Sequence, residues 1–495
     1  MPDIDTAGIG VYLKNKIDSF FPAVRVSSCG TVKTVGDGVV RIDDLTGCQN
    51  GELVEFSGGV YGMALDIEEN HVGAVLLGAG DSVRVGDRAM GTGRVCSVPV
   101  GENLDGRIID PIGRALDGKP LEATKFYPVE RPAPLIMMRR PVGTPLETGI
   151  ISIDTMIPIG RGQRELIIGD RQTGKTSIAL SAILSQKGKG VHCVYCAIGQ
   201  KASTVAEVTE FLRQTGALSY TTVVVATASD SPAMQYLAPY AACSVAEYYR
   251  DNGSHALVIY DDLSKHAVAY RTMSLLLHRS PGREAYPGDI FYLHSRLLER
   301  AACMSLENGG GTLTAIPVIE TTGGNISAYI PTNVISITDG QIYLEPELFH
   351  NGIRPAVNTG LSVSRVGRAA QPKAMKKLSG TLRIDLSQYR EMAVFARFGT
   401  DLDDSTKKQL SRGEMLTMLM TQGKNTAYSV ADKTAILIGY KLGYFDEFKP
   451  KTVVKEVASM LAVLRESIPE IMSEIDRTGD FTDEQRTEIE QILKK

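Results

Sequence analysis

The sequence predicts a multidomain α/β chain: a small β-barrel first, an α/β domain with a largely parallel sheet in the middle, and a helical domain at the end. Three observations point there. At 495 residues the chain exceeds what one ordinary core organises. Its first ~95 residues break into strand-length runs at glycine pairs. From about residue 150, glycine-bounded apolar runs alternate with longer helical patterns, and after Pro372 the strand patterns vanish. The expected division is an N-terminal segment over 1–23, a barrel over 24–94, an α/β domain over 95–371 and a helical domain over 372–495.

The elements follow in order. Thr31 to Ile42 is broken by Gly36-Asp37-Gly38, a tight-turn signal, and Glu52 to Phe56 is followed by Gly58-Gly59. Val60 to Ile67 and His71 to Leu77 continue this spacing, which suits a small closed barrel. Five prolines between Pro128 and Pro145 mark an extended connector. Leu166 to Gly169, Val191 to Ile198, Thr222 to Ala226 and Ala256 to Tyr260 read as strands buried on both faces, with a helical run from Ser177 to Ser185. Val453 to Ile475 reads as helix interrupted at Pro469, and Asp483 to Leu493 as an acidic amphipathic helix.

Composition excludes several classes. The hydrophobic share of 43% and charged share of 22% are those of a globular protein, and the net charge of −4 gives no electrostatic pull toward nucleic acid. The first 95 residues hold thirteen Asp and Glu against eight Lys and Arg. No apolar run nears the ~20 residues that cross a bilayer, and the start lacks the pattern of a secretory or transit peptide. Seven scattered cysteines fit a reducing compartment. Cys193 and Cys196 have C-x-x-C spacing but lie in a buried strand pattern with no second pair. The seven histidines show no shared ligand spacing, and Glu307-Asn-Gly-Gly-Gly311 reads as a loop.

The chemistry concentrates in Gly169-Asp-Arg-Gln-Thr-Gly-Lys-Thr176, which fits G-x-x-x-x-G-K-[ST]. Its glycines let successive N–H groups turn toward phosphate oxygens at a helix N-terminus. Lys175 reaches the terminal phosphates and the Thr176 hydroxyl can ligate Mg²⁺. A second acid is needed at the end of another buried strand, and Asp261 directly follows the run Ala256 to Tyr260. Hydrolysis also needs a base near the γ-phosphate, yet the strand after the loop helix ends in Gly199-Gln200-Lys201. A glutamine amide takes up no proton, and losing a positioned base costs ~10²–10⁴ in rate. Gln200 thus predicts a site that binds nucleotide and barely turns it over, although glutamine positions water in some GTPases.

Longer motifs carry a resemblance. Ser152-Ile-Asp154, Pro158-Ile-Gly-Arg-Gly-Gln-Arg164 and the phosphate loop resemble the hexameric rotary family that contains the F-type ATP synthase alpha and beta subunits. Ile198-Gly-Gln-Lys201, Tyr260-Asp-Asp-Leu-Ser-Lys265, Arg279 to Asp289 and Gly352 to Arg365 resemble the alpha branch, and the likeness runs from about Gly30 to the C-terminal helices. It implies a six-stranded barrel, a RecA-like P-loop domain and a helical domain. It also implies a regulatory, non-catalytic role in an ATP-synthesising, ion-transporting motor. The implied partners are beta-type catalytic subunits in an alternating three-plus-three ring, a gamma-type central stalk and a delta-type peripheral stalk. The implied place is the cytoplasmic, matrix or stromal side of an energy-transducing membrane, held there by other subunits.

By motif match, Gly169, Asp170, Arg171, Gln172, Thr173, Gly174, Lys175, Thr176, Gln200 and Asp261 are expected around ATP or ADP and Mg²⁺. Thr176 would ligate the metal, and Asp261 would act through water. Phe349, Arg354 and Gln422 match positions lining the adenine pocket. Ser362 and Arg365 match the segment facing the neighbouring beta subunit's catalytic site, with Arg365 as an arginine finger in trans. Three departures stand out: Ala202 where an arginine is expected, Lys424 where a second adenine-contacting glutamine is usual, and a short segment before Gly30. A catalytic ATPase of the same superfamily is disfavoured by Gln200. A nucleic-acid motor is disfavoured by the acidic barrel and the lack of Trp. A subunit with a dead site is disfavoured by the intact loop.

Overall fold

The computed structural model describes residues 28–78, 83–396, 403–424 and 426–494. The chain divides into two compact units at Cys96–Ser97. The expectation for residues 1–23 lies outside the described residues.

The first unit is a closed six-stranded barrel. Its strands are β1 Cys29–Gly36, β2 Val39–Asp43, β3 Glu52–Phe56, β4 Val60–Ile67, β5 His71–Leu76 and β6 Arg88–Val95, in the spatial order β1-β2-β5-β4-β3-β6. All pairings are antiparallel. Alternation decides the inside: Val40 and Ile42 are fully buried while Arg41 between them is exposed. Gly62 has no room for a side chain, because a Cβ there would lie 2.8 Å from the Phe56 ring.

The second unit is built on a sheet ordered β14-β13-β8-β12-β11-β9-β10-β7. These strands are β7 Ile108–Ile109, β8 Leu166–Asp170, β9 Val191–Gln200, β10 Thr221–Thr227, β11 His255–Asp261, β12 Thr312–Thr321, β13 Gly340–Leu344 and β14 Val363–Ser364. Every pairing along this path is parallel except that of β14. Parallel strands covered by helices bury both faces, which is why β9, β11 and β12 are nearly continuous in apolar residues. The sequence reading did not single out β12 or β13. Yet β12 lies at the centre, between β8 and β11. Cys193 and Cys196 lie fully buried within β9, and burial pushes both thiols up.

After Pro372 the only regular elements among the described residues are helices. The 453–475 pattern splits into Val453–Ser467 and Pro469–Thr478, with Pro469 in the first turn, where its missing N–H is not needed. Helix Val430–Leu442 starts with a capping box between Ser429 and Asp432 and is buried from Val430 to Tyr440. It is tied to the α/β layer by an ion pair. Lys433 Nζ sits 2.7 Å from Asp154, and Asp154 also accepts hydrogen bonds from Thr148 N and Oγ1 and from Gly149 N. Among the described residues no helix is long and apolar enough to cross a membrane.

Candidate nucleotide site

At the carboxyl ends of β8, β9, β11 and β12 a cavity of about 940 Å³ opens, the expected place for a ligand in an open parallel sheet. The loop from Asp170 to Gly174 leaves β8 and enters helix Lys175–Leu184. Two backbone features shape it. Gly174 caps the helix at φ 98°, a left-handed conformation, and Gln172 holds φ 63°. Gly169 is needed for another reason: a Cβ there would lie 2.8 Å from the Leu344 carbonyl on β13.

Lys175 is 7% exposed, and its ammonium donates to the Gly169 and Asp170 carbonyls at 2.9 and 2.6 Å. Burial pushes it below the ordinary lysine value, partly opposed by the carboxylates of Glu320, Asp262, Asp261 and Asp170. The Thr176 hydroxyl donates to Asp261 Oδ2 at 2.8 Å, and the buried Tyr195 phenol donates to the same oxygen at 2.8 Å. Gln200 donates from Nε2 to the Asp261 carbonyl at 2.9 Å, while its buried Oε1 has no partner. Asp262 is buried and caps helix Leu263–Leu276 by accepting from Lys265 N at 2.9 Å. Burial raises its carboxyl to about 6; Lys265 opposes the rise and Asp261 adds to it.

The cavity wall joins Arg171, Gln172, Thr173, Gly174, Lys175, Thr176, Gln200, Asp261, Phe349, Arg354 and Gln422, all singled out in the sequence. Six basic side chains (Arg171, Lys175, Lys201, Lys265, Arg354, Lys424) face three acidic ones (Asp261, Asp262, Glu320), a surplus suited to a polyphosphate. Arg354 stacks over Phe349 with its guanidinium carbon 4.3 Å from the ring centroid, which makes a flat apolar and cationic face.

Five predicted residues stand elsewhere or act otherwise. Gly169 and Asp170 lie outside the wall. The Asp170 carboxylate accepts from Thr321 Oγ1 at 2.6 Å and Gly324 N at 2.9 Å, which ties the loop to the end of β12. Gln422 reaches the wall, but its amide is engaged by the chain itself. Nε2 donates to the carbonyls of Gly149 and Thr426, and Oε1 accepts from Ile151 N. Ser362 is fully buried, and its hydroxyl accepts from Tyr343 N at 2.9 Å, so its side chain faces β13 rather than the exterior. Arg365 is exposed, outside the cavity, and its side chain makes no hydrogen bond or ion pair among the described residues. Its backbone N–H donates to the Asp339 carbonyl at 2.7 Å, and Asp339 is gripped by the Arg164 guanidinium at 2.9 and 3.0 Å.

Glu320 was missed by sequence reasoning. It stands 4.0 Å from Lys175 at the end of β12, an apolar run ending in an acid, the same signal that found Asp261.

Comparisons with known proteins agree with this architecture along the chain. Residues 26–93 match the ATP synthase alpha/beta family, beta-barrel domain; 149–364 match its nucleotide-binding domain; and 371–495 match the ATP synthase alpha/beta chain, C terminal domain. The chain is 57% identical over 477 residues to ATP synthase subunit alpha of Caldanaerobacter subterraneus, covering 96% of this chain and 94% of the relative. It is 54% identical to that of Acetivibrio thermocellus, covering 100% and 97%. It is 52% identical to that of Acinetobacter baumannii, covering 97% and 96%.

Proposed function

The chain belongs to the ATP synthase alpha/beta family, and from that premise we propose that it is the regulatory, non-catalytic nucleotide-binding subunit of the complex. In this reading it holds MgATP or MgADP in its own cavity and lends Arg365 to the catalytic site of a beta-type neighbour. The observation that carries the reading is Gln200. It occupies the end of β9 inside the cavity, bound to the Asp261 carbonyl, with a carboxamide where proton abstraction would require a base. Of the two other carboxylates in the wall, Asp262 caps a helix and Glu320 stands 4.0 Å from Lys175.

The residues present fit Mg²⁺. A hydroxyl and a carboxylate oxygen 2.8 Å apart are hard oxygen donors of the kind the ion takes, and the unpartnered Gln200 Oε1 can accept from a water nearby. Thr176 would hold the ion directly and Asp261 through water. The ion would neutralise phosphate charge. The loop N–H groups and Lys175 would grip the phosphates, Arg171 and Gln172 would close over them, and Phe349 with Arg354 would offer the base a stacking face. Lys175 would exchange its two carbonyl partners for phosphate oxygens, a stronger charge-assisted bond.

Arg365 is proposed to act outward. Its backbone is fixed through Asp339 while its guanidinium makes no hydrogen bond or ion pair among the described residues, which suits a group that stabilises charge developing on a transferring phosphoryl group in a neighbour. Ser362 supports that segment from within. The remaining partners in this reading are a gamma-type central stalk and a delta-type peripheral stalk. Through them nucleotide turnover would couple to ion flow across a membrane that this chain touches only by way of other subunits.

The test is the purified chain with and without a beta-type partner. The chain alone should bind MgATP and show no turnover above background, and the mixture should turn over ATP. Turnover in the usual enzyme range of ~1–10³ s⁻¹ by the chain alone would overturn the proposal.

A further inference from the structure

Away from the nucleotide cavity two histidines from different helices meet in the core. His266 lies on helix Leu263–Leu276 and His294 on helix Ile290–Leu298. Both are fully buried, with ring centroids 5.4 Å apart and planes tilted by 38°. The His266 Nε2–H donates to the Tyr236 carbonyl at 3.0 Å, which assigns its proton. Its Nδ1 is therefore a bare lone pair, and among the described residues neither it nor either ring nitrogen of His294 has a partner. A neutral imidazole carries one donor and one acceptor, so the pair can share a hydrogen bond after a small ring rotation, and each proton taken up beyond that adds a buried charge and an N–H for which the described residues offer no acceptor.

The surroundings make a second proton costly. Tyr236 and Tyr240 face the pair from helix Pro232–Asp251, stacked or edge-on to His266, and Tyr270 stacks on Tyr236 from the helix of His266. The Arg296 guanidinium acts on His266 electrostatically and bonds both Tyr236 and Tyr240. The two acids nearby are already engaged. Glu130 accepts from Tyr236 at 2.6 Å and from Arg296 at 3.1 Å, and Asp289 accepts from Tyr270 at 2.6 Å. Burial holds the His294 imidazole down to about 4. Burial, His294 and Arg296 together hold His266 far below the ordinary histidine value.

We propose that the His266–His294 pair is an acid-sensitive latch at the junction of helices Pro232–Asp251, Leu263–Leu276 and Ile290–Leu298, closed while both rings are neutral and opened by proton uptake. Folded values below the free value of 6.5 mean that the opened state binds more protons. The latch is thus fully closed above about pH 6.5 and weakens as pH falls toward 4. Each histidine contributes up to about tenfold in the closed-to-open ratio per pH unit in that window. The loosening would reach the nucleotide site, because helix Leu263–Leu276 begins directly after Asp261-Asp262.

The test is hydrogen exchange of the full chain, followed by mass spectrometry between pH 7 and 5 and corrected for intrinsic rates. Protection of the peptides over 263–276 and 290–298 should fall at least about tenfold from pH 6 to 5 in the wild type, while helix Asp483–Leu493 serves as the unchanged reference. His266→Gln removes one titrating ring and keeps an amide in its place, so its fall should be smaller by up to about tenfold. Equal falls in variant and wild type, or protection that does not change with pH, would overturn the latch. Should the variant fail to fold, ring resonances of the wild type labelled at histidine decide. The two buried rings should stay neutral through pH 5.5, and their titration near 6.5 would overturn it.

Discussion

Replacing Lys433 with methionine removes one charge from the heart of the junction between the α/β layer and the helices. Both partners are buried, with side chains 1% and 5% exposed for Lys433 and Asp154. Burial alone would lower the lysine, but the Asp154 and Glu147 carboxylates more than offset it, so its ammonium sits above the ordinary value. Methionine keeps the apolar stem and leaves Asp154 charged with three donors from Thr148 and Gly149. Stranding one member of a buried pair costs about 3–5 kcal/mol. The surviving donors place Lys433→Met at the low end, near 3 kcal/mol, or about 150-fold in a local opening equilibrium at ~1.4 kcal/mol per decade. Hydrogen exchange within helix Val430–Leu442 reads that factor directly. Asp154→Asn combined with Lys433→Met should recover most of it, since a neutral pair strands no charge. The pH sign follows from a raised lysine: the clamp is intact across pH 6–9 and is lost only as pH rises through the lysine range above 10.5. A loss below ~1 kcal/mol in the single variant, or strict additivity in the double, would refute the reasoning.

The remaining predictions concern the nucleotide and the neighbour. Lys175→Ala should weaken MgATP binding by about 10–150-fold, the worth of one charge-assisted hydrogen bond of ~1.5–3 kcal/mol, and an unchanged titration would remove the loop from the site. Arg365→Ala in the assembled complex should cut turnover by ~10³–10⁵ while this chain keeps its own nucleotide. Arg365→Lys should rescue poorly, because a point charge cannot replace a planar fork; an intact ring with near-normal turnover would refute the finger. Gln422→Leu should destabilise the junction by ~2 kcal/mol, since it strands the buried Ile151 N–H, while the Gly149 carbonyl keeps the Tyr428 N–H at 2.9 Å. Nucleotide affinity should change less than stability, and the reverse order in a paired titration and denaturation would make Gln422 a base-reading residue.

Much of this was legible in the residues because its signals are local. The phosphate loop is eight consecutive positions, and Asp261 announces itself as an acid directly after a buried run. Glu320 carried the same signal, but Pro317 interrupts its run and disguises the strand. What stayed hidden depends on distant backbone. Gln422 spends its amide on Gly149, 273 positions away, and no pattern around either residue reports that meeting. Ser362 turns inward because it accepts the Tyr343 N–H on the neighbouring strand, a consequence of pairing rather than of composition. The histidine pair has no ligand spacing in the sequence because its two members come from separate helices.

The central position of β12 bears on how the chain is made. Strand β8 carries the phosphate loop, but both of its neighbours, β12 and β13, come later in the chain, and Thr321 trails Asp170 by 151 residues. At ~5–20 residues per second, a ribosome delivers that partner roughly 8–30 s after β8 has emerged. Throughout that interval Leu166, Ile167 and Ile168 have both edges unpaired, an open template for pairing with another nascent chain. Translation speed between residues 170 and 321 therefore sets how long β8 waits with both edges open.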